Sequence, residues 1–258
     1  KVSGFEVGDR VFARMPLSRI GSFAEYVSID AGALAKVPSY LTDEEAAAVP
    51  LTALTGEQAL DILNLKKGDS LFISGGSGSL GAMVIPLAVA RGLKVSTSGG
   101  AKDRERVMAL GVEQYYDYRT TDYTTMLENL DGAIDSIGDK ELPRIFSILR
   151  RGATVVSLKG MPNGSFAKSF GMPLWKQWLF KLVGMKNDCL AKRNNQQYHF
   201  MFVTSDGSQL QRAASILEAK QIRPEVGNVY SLAQAEAALR EVMAGQKRGK
   251  VIIKVADK

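Results

Sequence analysis

The chain has 258 residues, 45% hydrophobic and 23% charged, a balance that suffices for a sizeable buried core in one or two globular domains. Its formal charge of +6 suits anionic small ligands, but the basic residues are scattered or interleaved with acids, as in Lys102-Asp103-Arg104-Glu105-Arg106, which argues against a nucleic-acid partner. No apolar run approaches the roughly twenty residues of a membrane span and the polar opening does not resemble a signal peptide, so no membrane partner and a cytoplasmic location are expected.

A single cysteine, Cys189, allows no internal disulfide and reads as an inert, partly buried thiol. The one histidine, His199, has no motif around it.

In chain order, Arg10 to Ala13 and Gly21 to Ile29 alternate apolar and polar residues as half-buried strands do. Thr42-Asp43-Glu44-Glu45 is a helix-capping pattern that opens an alanine-rich helix reaching Val49. A second helix is expected from about Thr52 to Leu63. From Ser70 the rhythm turns to strand, helix, strand. Strands are expected at 70–74, 94–98, 114–117, 132–136 and 154–158, with helices at 80–91, 103–110, 121–130 and 141–149 between them. Such alternation implies right-handed crossovers and a parallel sheet covered on both faces. Pro86 falls inside the first of these helices and should bend it. Beyond Gly160 the pattern loosens, and Trp175 and Trp178 read as packing residues. Tyr198 to Val203 and Lys250 to Val255 read as strands, Gln209 to Lys220 and Ala233 to Ala244 as helices.

The segment Ser74 to Gly81, S-G-G-S-G-S-L-G, lies between the apolar run Leu71-Phe72-Ile73 and an apolar helix. Gly75, Gly78 and Gly81 suit a tight turn, close approach of a phosphate and close packing of helix on strand, and the helix end offers bare N–H groups to a diphosphate. A P-loop is excluded, because Ala82 and Met83 stand where its lysine and hydroxyl belong. The next strand ends in Ser98-Gly99-Gly100-Ala101-Lys102 and lacks the acid that grips a ribose 2′-hydroxyl. Hydroxyls and Lys102 accept a 2′-phosphate where a carboxylate repels it, so NADPH is favoured over NADH. Arg104 and Tyr118 could complete that pocket, although Arg104 reads better as a helix-surface cation. No tyrosine carries a lysine four residues on, and no nucleophile elbow precedes His199, so short-chain-reductase and Ser-His-Asp chemistry both fail.

The ordered set Gly8-Asp9-Arg10-Val11, Gly21-Ser22-Phe23-Ala24-Glu25-Tyr26, Pro50-Leu51-Thr52-Ala53-Leu54-Thr55, the glycine loop, Asp135-Ser136-Ile137-Gly138 and Gly249-Lys250-Val251-Ile252 resembles the medium-chain dehydrogenase/reductase superfamily, and within it the zinc-independent, quinone oxidoreductase-like branch. The resemblance implies an α/β fold, a Rossmann-type doubly wound parallel sheet plus an incomplete β-rich GroES-like catalytic domain. Residues 1–40 would belong to the catalytic domain, 41–222 to the NADP-binding domain, and 223–258 would return to the catalytic domain. It further implies Thr55 beside the nicotinamide, Ser77, Gly78, Ser79 and Leu80 under the diphosphate, Lys102 and Tyr118 by the 2′-phosphate, Ile137 along the adenosine half, and Leu158, Lys159 and Gly160 near the nicotinamide ring.

The implied activity is hydride transfer from NADPH to a quinone or an α,β-unsaturated carbonyl, with the proton coming from solvent or a tyrosine and with a homodimer as the expected assembly. No catalytic residue is assigned. Zinc members carry a cysteine ligand where this chain has Pro50, and one cysteine and one histidine cannot build a tetrahedral site, so no metal is expected. The family's first domain normally starts well upstream of Lys1, so the chain is expected to be a fragment lacking about half of the catalytic domain. The competing expectation is an NADPH-binding sensor or interaction protein without turnover.

Overall fold

A computed structural model describes residues 2–138, 140–245 and 249–256. They divide into two compact units, Lys1–Glu57 with Val203–Lys258, and Gln58–Phe202.

The first unit begins with an antiparallel pair, β1 (Val11–Ala13) and β2 (Leu34–Lys36). Helix α1 (Asp43–Ala48) starts at the expected capping box: the Glu45 amide donates to Thr42 Oγ1 at 3.2 Å and the Thr42 amide to Glu45 Oε2 at 2.9 Å. Helix α2 (Pro50–Leu63) has proline in its first position, where the missing N–H costs nothing, and the boundary between the units falls inside it. The strand expected at Gly21 to Ile29 does not form. An alternating segment is held as a strand only by a neighbour that satisfies its N–H and C=O groups, and none is present among the described residues. Phe23, Tyr26 and Val27 are accordingly exposed.

The second unit contains β3 (Ser70–Ile73), α3 (Ser79–Ala90), β4 (Lys94–Gly99), α4 (Arg104–Met108), β5 (Gln114–Asp117), β6 (Leu130–Asp135), α5 (Leu142–Ser147), β7 (Leu149–Ser157), α6 (Gly164–Ser169), α7 (Leu174–Val183), α8 (Met185–Arg193) and β8 (Gln197–Phe200). All six strands pair in parallel, in the order β5-β4-β3-β6-β7-β8. This is the doubly wound order, with the reversal between β3 and β6 where the chain crosses to build the other half of the sheet. Leu71, Phe72 and Ile73 of the central strand have no exposed surface, as a strand covered on both faces requires. On one face Phe72 packs on Tyr123, ring centroids 4.5 Å apart, among Leu142, Ile145, Phe146 and Val155. Helix α3 runs without interruption through buried Pro86.

Three expectations fail here. Residues 121–130 form no helix: Asp122 caps a single 3-10 turn at 123–125 through the Thr124 amide, Asn129 takes a positive φ, and Leu130 already starts β6. Asp and Thr side chains hydrogen-bond nearby backbone and so compete with the helix. Trp175 and Trp178 are not core residues, at 65% and 66% exposed. Cys189 is exposed rather than partly buried.

The chain then returns to the first unit through α9 (Gly207–Ala219), β9 (Val226–Ser231), α10 (Ala235–Met243) and β10 (Lys250–Lys254), with β9 and β10 paired in parallel. Neither β2 nor β9 is legible in the sequence. Glu45 of the capping box is also ion-paired to Arg223, and these contacts hold its carboxyl below the usual carboxylate range although burial opposes them.

Candidate dinucleotide site

The glycine loop joins β3 to α3 at the C-terminal edge of the parallel sheet, beside the strand-order reversal where open α/β sheets bind ligands. Each of the three glycines has a distinct physical role. Gly75 turns the chain at φ +69°, a conformation that favours glycine. At Gly81 a Cβ would stand 2.1 Å from the Gly76 carbonyl oxygen and 2.5 Å from the Gly76 Cα, so only glycine lets the first turn of α3 lie on the loop. At Gly78 a Cβ would meet nothing closer than the Gly75 carbonyl oxygen at 3.5 Å; the position is open to solvent. The loop is therefore tight on the protein side and clear on the ligand side.

A fourth glycine, Gly76, carries no signal of its own in the sequence and fits as closely as Gly81. A Cβ there would lie 2.1 Å from Thr97 Oγ1. The Gly76 amide donates to the Ser98 carbonyl at 3.0 Å and to Thr97 Oγ1 at 3.1 Å, and the Thr97 hydroxyl donates to the Ile73 carbonyl at 2.5 Å. The Gly78 amide closes the turn on the Gly75 carbonyl at 3.1 Å.

Helix α3 has Gly78 as its N-cap and no side chain capping its first amides. The N–H groups of its first turn, in Ser79, Leu80 and Gly81, lack intrahelical partners and carry the positive end of the helix dipole. Arg106 on α4 braces the same loop: its guanidinium donates to the Ser77 carbonyl at 2.8 Å and pairs with Asp103 at 3.1 Å, while its Nε is buried without a hydrogen-bond partner among the described residues. The open space at Gly78 and the uncapped amides fit a bound diphosphate. In the sequence Arg106 reads as one of several solvated charges, and only folding shows that it bends back to the loop.

At the ends of β4 and β5, Ser98 is buried and its Oγ accepts from the Gly75 amide at 3.4 Å, so it supports the loop from behind. Lys102 is exposed in a 3-10 turn directly after β4. Tyr118 donates its amide to the Gly99 carbonyl at 3.2 Å, and the residue is 60% exposed. Lys102 and Tyr118 thus flank the same strand end. Arg104 donates to the Tyr115 carbonyl at 2.9 Å and lies over the Tyr115 ring, in keeping with its reading as a helix-surface cation. The Tyr115 hydroxyl donates to the Gly100 carbonyl at 2.7 Å, and its burial pushes the phenol above its ordinary pKa.

Across the reversal, buried Asp135 organises the remaining candidates. Its Oδ1 accepts from the Ile137 and Gly138 amides, each at 3.0 Å, and from Ser74 Oγ at 3.3 Å; its Oδ2 accepts from Ser157 Oγ at 2.6 Å. Ser157 Oγ in turn accepts from the Gly160 amide at 2.8 Å. One carboxylate thereby ties the ends of β3, β6 and β7, and it fixes the two loops that present half-exposed Ile137 and the Leu158-Lys159-Gly160 segment. At Gly138, φ +106°, an added Cβ would stand 3.0 Å from the Lys159 carbonyl oxygen, and a Cβ at Gly160 would strike the Tyr198 hydroxyl. Asp135 belongs to the family-like motif, but nothing in the sequence gives it this role.

Thr55 lies in the first unit, buried, with its hydroxyl donating to the Leu51 carbonyl at 2.6 Å. That unit also carries an open cleft of about 1100 Å³ lined by apolar residues such as Phe12, Pro50 and Ile252 and polar ones such as Asp9, Arg10 and Asp43, and no expected cofactor residue lines it. Among the described residues no cluster of three or more His, Cys, Asp or Glu side chains could hold a metal, and no helix is long and apolar enough to cross a membrane.

The family model described as zinc-binding dehydrogenase matches residues 110–253. The chain belongs to that family. Within the medium-chain dehydrogenases/reductases it falls in the quinone oxidoreductase-like branch. It is 29% identical over 268 aligned positions to the mitochondrial NAD(P)H oxidoreductase RTN4IP1 of Danio rerio, covering 99% of this chain and 68% of that protein. It is 26% identical over 265 positions to 2-methylene-furan-3-one reductase of Solanum lycopersicum, covering 98% of this chain and 59% of that one. In fold, this family member superposes on the quinone oxidoreductase of Coxiella burnetii with a TM-score of 0.79, at 23% identity and covering 99% of this chain and 74% of that one. On the quinone oxidoreductase of Thermus thermophilus, which was also solved with NADPH, the TM-score is 0.70 at 27% identity, covering 98% of this chain and 79% of that one. The family membership makes the chain an oxidoreductase with a nicotinamide cofactor, and its fold pairs a Rossmann sheet with the catalytic-domain elements of the family.

Proposed function

We propose that the protein is an NADPH-dependent reductase of quinones or α,β-unsaturated carbonyls that works without zinc. The observation that carries the reading is the glycine loop, clear at Gly78, against the uncapped N-terminus of α3, with a strand end that bears Lys102 and Tyr118 where an NAD-selective site needs an acid. When bound, NADPH supplies the hydride. Ser77, Gly78, Ser79, Leu80 and Gly81 would hold the diphosphate through backbone N–H groups, with Gly75 shaping the turn and Ser98 bracing it. Lys102 and Tyr118 would take the 2′-phosphate. Ile137 would lie along the adenosine half, and Thr55, Leu158, Lys159 and Gly160 would border the nicotinamide. The protein's work in such a reaction is orientation and exclusion of water, since reacting atoms must be held in near-attack geometry.

The names of the relatives support the acceptor class: one is a quinone oxidoreductase, another a reductase of a methylene-furanone. A homodimer is our expectation for the assembly, as is the domain division at 40 and 222. The cytoplasmic expectation comes from the sequence, with the lone thiol in keeping with it, whereas the zebrafish relative is named as mitochondrial, and fractionation of the native host decides between them. The functional test is NADPH oxidation followed optically against a panel of quinones and enones, beside a titration of NADPH and NADH by protein fluorescence. Turnover of an acceptor with NADPH preferred supports the proposal. Binding without oxidation of any acceptor would replace it with nucleotide sensing.

A further inference from the structure

Helix α7 faces the wrong way for an ordinary surface helix. At 100° per residue, Leu174, Trp175, Trp178, Leu179, Leu182 and Val183 fan across about half of its circumference, and every one of them is exposed. The opposite side is the one attached to the unit. Gln177 donates to the Met172 carbonyl at 2.7 Å, the Phe180 ring lies 6.1 Å from that of Phe166 on α6, and Gly184, which ends the helix, is pressed against Asn163. The apolar half is thus presented outward by a helix fixed on its inner side.

The two lysines of α7 stand at the two margins of that apolar arc, Lys176 on one side and Lys181 on the other, each with its ammonium near a tryptophan ring, 5.3 Å from Trp175 and 5.9 Å from Trp178. The surrounding segment 164–187 carries four lysines, Lys168, Lys176, Lys181 and Lys186, and no acid. Apolar centre, tryptophans and a cationic rim are the composition of a helix that lies in the plane of a membrane interface, with lysine stems along the acyl boundary and their charges among anionic headgroups. A second copy of the chain fits less well. A two-fold contact would set these cationic margins against each other with no acid in the segment to answer them.

We propose that α7 is an interfacial docking helix by which this protein binds the surface of anionic lipid bilayers. The expectation of no membrane partner came from the absence of a spanning segment, and it does not extend to attachment at the surface. Because Trp175 and Trp178 are the chain's two tryptophans, the wild-type protein reports on itself. Vesicles of phosphatidylserine and phosphatidylcholine should shift its tryptophan emission to the blue and carry it upward in a flotation gradient, whereas pure phosphatidylcholine should bind it at least about tenfold more weakly. Trp175→Ala with Trp178→Ala should lower partition about tenfold or more at unchanged melting temperature, and Lys176→Glu with Lys181→Glu should remove the preference for the anionic vesicles. Wild-type protein that neither shifts nor floats with anionic vesicles overturns the proposal, as does binding unaltered by both double substitutions. A dimer in sedimentation that the tryptophan substitutions dissociate, with no vesicle binding, overturns it in favour of a second copy on this face.

Discussion

Alanine at Gly78 and alanine at Gly81 should produce opposite defects, although the two residues lie within one turn of each other. At Gly81 the new methyl would begin 2.1 Å from the Gly76 carbonyl oxygen, against an ordinary contact of 3.4 Å or more, and the obstacle is backbone that no side-chain rotation relieves. Helix propensity favours alanine over glycine by about 1 kcal/mol, but overpacking a close-fitted core costs about 1–3 kcal/mol, and backbone on backbone belongs at the upper end. The net loss is therefore about 1–2 kcal/mol, which lowers Tm by roughly 2–4 °C per kcal/mol in a chain of this size. At Gly78 the methyl meets only the Gly75 carbonyl oxygen at 3.5 Å, an ordinary contact, and φ is −81°. Losing glycine from an N-cap costs about 0.5 kcal/mol, so the protein should fold almost as before. That methyl, however, occupies the clear side of the loop, and NADPH should bind at least about tenfold more weakly, or about 1.4 kcal/mol. Thermal unfolding without nucleotide and calorimetric titration with NADPH measure the two effects separately. Wild-type nucleotide affinity in Gly78→Ala would put the phosphate cradle elsewhere, and an unchanged Tm in Gly81→Ala would refute the packing argument.

Lys102→Ala should reduce NADPH affinity about tenfold and leave NADH binding nearly unchanged, since a charge-assisted phosphate contact is worth about 1.5–3 kcal/mol; equal losses for both cofactors in a fluorescence titration would remove Lys102 from the 2′-phosphate. Asp135→Asn replaces an oxygen that accepts from Ser157 Oγ at 2.6 Å with a donor, and should cost about 2 kcal/mol by denaturant titration. Burial holds His199 below its ordinary pKa, partly opposed by Asp188, so its neutral form is favoured by folding. Its contribution is present above the unfolded value of about 6.5 and is lost as pH falls. Stability measured from about pH 7 to about pH 5 should therefore decline, and less steeply in His199→Gln; equal slopes would show that His199 is not the group responsible. Elemental analysis after dialysis should give well under one zinc per chain, and stoichiometric zinc would refute the metal-free reading.

What can be read from the sequence is whatever is encoded locally. The capping box at Thr42 and Glu45 needs four consecutive residues, and the glycine loop needs a strand before it and a helix after it; both stand in the structure as the sequence expects. Features that depend on a distant partner are misread or missed. Gly21 to Ile29 has the alternation of a strand but lacks a neighbour among the described residues. Residues 164–193 form three helices that a run of apolar and basic residues with few capping signals does not announce, and the tryptophans of α7 look like core because burial is a tertiary property. Asp135 and Arg106 each look like one more charged side chain in the sequence. Only the convergence of three strand ends makes the first a hub, and only the return of α4 toward the loop brings the second to Ser77.

Thr97 touches no expected ligand, yet it holds the Gly76 amide and the Ile73 carbonyl together behind the loop. The loop is consequently set when the sheet is set, and on the proposed function a nucleotide arriving there would have little chain left to order. Conformational entropy that a floppy loop would surrender on each binding event has already been surrendered once, during folding. On the proposed function, affinity would be a property of the β3–β4 pair as much as of the residues facing the phosphates, and an alteration confined to the back of the sheet would be felt as weaker binding.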